Sequence, residues 1–161
     1  MQKEGVNDIW FSDGIRRLRI TCRVLEELFS YAERNDRLES GGIILGLVFE
    51  NHDEVIQLVK PSKTDICSLF SFVRKMKPAQ RRINKAWNKS GGHLIYLGEW
   101  HTHPRRDPAP SGQDRTMIRN ALLSTEIEID YLYLIIAGHN KSYWIGRQDN
   151  KDLRTLNSVC Q

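Results

Sequence analysis

Between Gly41 and Glu50 the chain reads Gly-Gly-Ile-Ile-Leu-Gly-Leu-Val-Phe before the first charged side chain, with no alternation of polar and apolar residues. A strand with one face in water alternates, so a run that does not must be covered on both sides. The run therefore predicts a central strand, and the rest of the chain has to supply a layer over each of its faces.

The flanking segments supply those layers. Ile9–Phe11 and Arg17–Thr21 read as two short strands around Ser12-Asp13-Gly14. A helix opens at Thr21 or Cys22, with Val24, Leu25, Leu28, Phe29 and Ala32 at helical spacing, and stops at Asn35-Asp36. Asn51-His52-Asp53 turns the chain into a strand over Glu54–Lys60, and Ser68–Val73 is a further strand. Pro78 suits the first turn of a helix that runs to Lys89 and stops at Ser90-Gly91-Gly92. His93–Trp100 is strand-like. Pro104, Pro108 and Pro110 make the next stretch a loop, and Ser111 starts a helix. Tyr131–Ala137 and Lys141–Arg147 form a hairpin around Gly138-His139-Asn140, and beyond Asp149 the polar tail predicts no element. Strands, hairpin turns and helices mixed in this way predict an α+β fold with a mixed, largely antiparallel sheet flanked by helices. A chain of 161 residues is expected to form a single domain, with its core over about 16–148 and a polar tail over 149–161.

Composition narrows the class. Hydrophobic residues make up 40% and charged residues 27%, which is globular rather than disordered. The three cysteines are too few and too scattered for a disulfide framework or a Cys-x-x-Cys metal site. The N-terminus has no apolar signal region, and no run approaches the ~20 apolar residues of a membrane span. The expectation is a cytoplasmic protein with no membrane contact. From Ile66 to Gly98 there is no Asp or Glu, while Arg74, Lys75, Lys77, Arg81, Arg82, Lys85 and Lys89 are present. Such a face attracts nucleic acid or an acidic protein partner, or is simply solvated. With no nucleic-acid recognition motif beside it, nucleic acid is not the expected partner.

The chemistry sits after the His93–Trp100 strand. His101 and His103 are two apart, so in extended chain both imidazoles face one side. Asp114 follows across the proline loop and one helical turn. Two histidines and a carboxylate leave one tetrahedral position open, as a catalytic zinc site requires, although iron or manganese accept the same ligand types. Each element has a simpler reading alone: a His-x-His pair decorates many strands, and Ser111-Gly112-Gln113-Asp114 is also a helix start with a capping serine.

Together, His101-Thr102-His103-Pro104 and Ser111-Gly112-Gln113-Asp114, with seven residues between His103 and Ser111, resemble the JAMM motif of the JAB/MPN zinc metalloproteases. Glu39, before Gly41-Gly42 and the apolar strand, resembles the glutamate that this family carries upstream. The resemblance runs from about Glu39 to Arg147 and is similar to the prokaryotic single-domain branch. It implies a JAB/MPN-like fold with cytidine-deaminase-like layering. It also implies Zn²⁺ on His101, His103 and Asp114, Glu39 as the base that works the attacking water, and Ser111 as an oxyanion donor. Gly41, Gly42 and the Pro104–Pro110 loop are the candidates for substrate contact. The implied activity is an isopeptidase that cleaves after the C-terminal Gly of a ubiquitin-like protein or its conjugate. Some members of this branch act in antiphage defence, freeing a CD-NTase-type nucleotidyltransferase from its targets. Other members process a sulfur-carrier tail, and relatives of the fold without the ligands serve as non-catalytic scaffolds.

Overall fold

The computed structural model describes residues 8–34, 38–60, 66–67, 72–73, 76–104 and 107–160, with backbone alone for 66–67, 72–73 and 76–79. In chain order the elements are β1 (Ile9–Ser12), β2 (Arg17–Ile20), α1 (Cys22–Arg34), β3 (Gly41–Val48), β4 (His52–Val59), β5 (Ile66–Cys67), β6 (Phe72–Val73), α2 (Met76–Lys89), β7 (Ile95–Thr102), α3 (Gly112–Ser124), β8 (Leu132–Ala137), β9 (Tyr143–Gln148), β10 (Leu153–Thr155) and β11 (Asn157–Val159).

The apolar run is the middle strand of a nine-stranded sheet, ordered β10-β9-β8-β7-β3-β4-β2-β1-β11. Pairing is antiparallel except where β2 meets β4 and β7 meets β8, so the sheet is mixed and mostly antiparallel, as expected. Both faces of β3 are covered. Ile44 packs with α1 residues Val24, Leu25 and Leu28 on one side. Ile43 and Leu45 pack with Ile118 and Ala121 of α3 on the other.

β7 runs two residues past Trp100, because its main chain continues to pair with Gly41 on one side and Ala137 on the other. A register shift between Ile44 and Leu45 marks a bulge opposite Gly98, whose φ is +152°. A Cβ there would stand 1.9 Å from the Tyr133 carbonyl oxygen, so only glycine fits. The extra residue changes the phase of the strand. Tyr96 and Glu99, three apart, share a face and are hydrogen-bonded, while Leu97 and Trp100 turn to the α1 side. His101, two residues beyond Glu99, is thereby delivered to the α3 face.

The C-terminal segment differs from expectation. Instead of a featureless polar tail, residues 153–159 form β10 and β11, which lie at opposite edges of the sheet with only Leu156 between them. The sheet curls until one stretch of chain holds both edges. β10 pairs with β9 and β11 with β1, and the Leu156 amide donates to the Ile145 carbonyl at 2.9 Å. Leu156 and Phe11 both enter the α1-side core, so the core extends beyond residues 16–148 at either end. The β11 side chains are all exposed, and the strand is held by main-chain pairing that no hydrophobic pattern reports.

α2 begins two residues before Pro78, which still lies in its first turn. The stop of α1 at Asn35-Asp36 and most of the Ser68–Val73 strand lie outside the described residues, apart from the short β5–β6 ladder. No helix among the described residues is long and apolar enough to cross a membrane.

Candidate metal centre

His101 comes from the end of β7, and His103 from the turn just after it, where its amide donates to the Ala137 carbonyl at 2.7 Å. Asp114 stands in the first turn of α3. All three are buried, at 3%, 1% and 8% exposure. The two Nε2 atoms are 3.2 Å apart, and Asp114 places Oδ1 3.0 Å from His101 Nε2 and Oδ2 3.1 Å from His103 Nε2. Four tetrahedral ligands about 2.0–2.1 Å from one ion lie about 3.3–3.4 Å from each other, which is close to this spacing. The donor set fits a metal ion.

The surroundings fix two of the three candidate ligands, His103 and Asp114. His103 Nδ1 lies 3.1 Å from the Asp107 carbonyl oxygen, the contact that makes Nδ1 the protonated nitrogen and leaves the Nε2 lone pair facing inward. Asp114 Oδ2 accepts the Ser111 amide at 2.7 Å, and Ser111 Oγ accepts the Asp114 amide at 3.1 Å. The helix-start reading holds, and it is compatible with the ligand reading: the capping box directs the carboxylate toward the imidazoles. Burial disfavours the charged form of Asp114, but its contacts with the two imidazoles and the hydrogen bond from the Ser111 amide outweigh it and hold its carboxyl far below the usual range.

Glu39 is 3% exposed and precedes Ser40, which is tied to the ligand strand. The Thr102 amide donates to the Ser40 carbonyl at 2.8 Å, and the Ser40 amide donates to Thr102 Oγ1 at 3.0 Å. Gly41 lies opposite His101 in the sheet. Gly42 has a packing role on the other face, where a Cβ would meet the Val59 carbonyl oxygen at 2.0 Å and the Trp100 indole at 2.9 Å. The loop after Pro104 contributes the Asp107 carbonyl; residues 105–106 lie outside the described chain. Sequence reasoning missed Asp107 and the Ser40–Thr102 tie, since a backbone acceptor leaves no side-chain signature and a threonine hydroxyl meeting an amide 62 residues away has no local pattern.

The family model describing prokaryotic homologues of the JAB domain matches residues 21–157. The chain belongs to this family. A Vibrio cholerae protein named CD-NTase/cGAS isopeptidase is 33% identical over 141 residues, covering 87% of each chain. An Escherichia coli protein of the same name is 30% identical over 154 residues, covering 94% of this chain and 96% of its own. A solution structure of a Desulfitobacterium hafniense protein shares the fold, with a TM-score of 0.62 at 20% identity over 84% of this chain and 87% of that one. The JAB chain is a hydrolase of the metallopeptidase class, and its buried His-His-Asp group is a candidate site for the metal ion that this class uses.

Proposed function

We propose that this JAB-family chain is a zinc isopeptidase that hydrolyses the amide joining the C-terminus of a CD-NTase, or of a ubiquitin-like protein, to a target amine. The proposal adds antiphage defence in the cytoplasm as its setting. One observation carries the site assignment: a single carboxylate, Asp114, meets both His101 and His103 from a helix start that fixes its direction. His101, His103 and Asp114 are the zinc ligands in this reading. A zinc ion held there would bring the pKa of its water from 15.7 to about 7.

The rest of the reaction belongs to the chain's own groups. Glu39 accepts the proton of the attacking water and returns it to the departing amine, a role worth roughly 10²–10⁴ in rate. Ser111 Oγ already accepts the Asp114 amide, so its hydroxyl proton is available to the oxygen that becomes negative as water adds to the carbonyl. The products are a free C-terminal carboxylate and a free amine.

Metal content and cleavage measured on one preparation test this. Wild type and Glu39→Ala should both carry zinc and Asp114→Ala should lose it, while only wild type releases the target from a CD-NTase conjugate or a Gly-ended ubiquitin-like fusion. A zinc-replete wild type inert on both substrates refutes the reading and leaves a metal-bound scaffold.

A further inference from the structure

One face of α2 is basic where an amphipathic helix would be apolar. Arg82, Lys85, Ala86 and Lys89 recur at the spacing of a single helix face. They form one wall of a groove of about 490 Å³ whose floor is Leu45, Val59 and Leu94. Among the described residues, no acidic and no aromatic side chain lines it. Lys85 and Lys89 are exposed, and the Arg82 guanidinium is steadied by donating to the Lys60 carbonyl. The neighbouring face of α2 is different: Ile83 and Trp87 there border a separate hollow that includes Glu126 and Glu128.

We infer that the groove between α2 and the β3–β4 surface docks an acidic, extended segment of the protein substrate. The inference rests on the isopeptidase reading of the metal centre. Charge complementarity selects the occupant, because three cations face a lining whose described residues include no carboxylate. Arg82 and Lys89 are about 10 Å apart along the helix axis, which about three residues of extended peptide span. Acidic side chains at alternate or every third position would meet the wall while the intervening side chains rest on the apolar floor. Single-stranded nucleic acid fits less well, since the described lining offers no aromatic ring for a base to stack on. The groove also lies on the catalytic face. Leu45 packs with α3 residues Ile118 and Ala121, and along β3 it is about 13 Å from Gly41, the partner of His101. A segment seated there lies a few residues from the amide to be cut, on the same side of the sheet.

Binding to the metal-loaded full chain tests this without relying on cleavage. The probes are a fluorescein-labelled peptide alternating Glu and Leu, the same peptide with Gln for Glu, and a labelled oligothymidylate. The Glu peptide should bind best and weaken as salt rises. Reversal of the groove (Arg82→Glu, Lys85→Glu, Lys89→Glu) should cost at least about tenfold in affinity, as three exposed pairs at up to about fivefold each allow. A control of equal charge change on exposed sites elsewhere (Arg23→Glu, Arg34→Glu, Lys151→Glu) should retain most of the binding, with melting curves confirming that both variants are folded. Equal weakening in the two variants, no preference for Glu over Gln, or tighter binding of oligothymidylate overturns the inference. A wild type that binds the peptide yet cleaves no conjugate refutes the isopeptidase reading instead.

Discussion

Ser111 and Asp114 hold each other: the Ser111 hydroxyl oxygen accepts the Asp114 amide at 3.1 Å, and the Asp114 carboxylate accepts the Ser111 amide at 2.7 Å. The two bonds have different consequences for the site. The one to the carboxylate comes from the main chain and survives any side-chain change at position 111. The one to the hydroxyl does not.

Ser111→Ala therefore separates the two roles. The backbone still aims Asp114, so metal content should be unchanged. Loss of the cap costs about 1 kcal/mol, which lowers Tm by about 2–4 °C at this size. Loss of an oxyanion donor should reduce kcat by roughly 10²–10³. Calorimetry, metal analysis and steady-state kinetics on one preparation check this. A loss of metal alongside the loss of rate would show that the hydroxyl, rather than the main chain, sets the ligand.

Metal removal is the second test. If His101, His103 and Asp114 hold the ion as proposed, a chelator leaves a buried carboxylate between two imidazoles with nothing to join them. Ion present at 100 times its Kd stabilises by about 2.7 kcal/mol, so chelation should lower Tm by roughly 5–10 °C, reversibly on zinc addition. The imidazoles must be deprotonated to ligate, so apparent affinity should fall as pH is lowered, with proton uptake on metal release. A Tm indifferent to chelator in a zinc-loaded sample would place the ion elsewhere.

Much of this was legible in the sequence, for physical reasons that differ by element. The β3 run lacks polar alternation because both faces are covered, and the His101–His103 spacing is the repeat of extended chain. The Ser111–Asp114 spacing is that of a capping box. What was not legible depends on partners distant in sequence or on the main chain alone. The bulge at Gly98, which delivers His101 to the face of Asp114, is visible only once Tyr133 is placed against it. Asp53 reads in sequence as a turn residue, yet it is fully buried and accepts from Arg16, Tyr131 and Tyr133.

That Asp53 cluster predicts the alkaline behaviour. Burial, and then the neighbouring Asp53 charge, push the Tyr131 and Tyr133 phenols well above their ordinary value. Their folded-state pKa values exceed the unfolded value of about 10, so the stability they contribute is full below pH 10 and declines as pH rises above it. Ultraviolet titration should show Tyr131 and Tyr133 among the tyrosines that ionise only as the protein unfolds. Tyr133→Phe should make stability fall less steeply with pH above 10, at a cost of about 1.5–3 kcal/mol at neutral pH for the hydrogen bond lost to the buried Asp53 carboxylate. An unchanged slope would mean that the phenols ionise in the folded state.

The closing strands give the last prediction. Because β10 and β11 hold opposite edges of the sheet, deleting residues 153–161 removes both edge strands and the buried Leu156 together. The freed edges, β9 on one side and β1 on the other, would expose unpaired amides and carbonyls that invite association. Leu156→Ala isolates the packing contribution, and for a buried leucine the cost is about 2–5 kcal/mol, a Tm decrease of roughly 4–20 °C. The deletion should lose more and recover as aggregate, whereas Leu156→Ala should stay monodisperse with its metal centre intact, since Leu156 packs on the α1 side and the ligands face α3. Light scattering and metal analysis on the two variants check both halves. A soluble, metal-loaded deletion variant with unchanged Tm would show that the sheet does not depend on being closed.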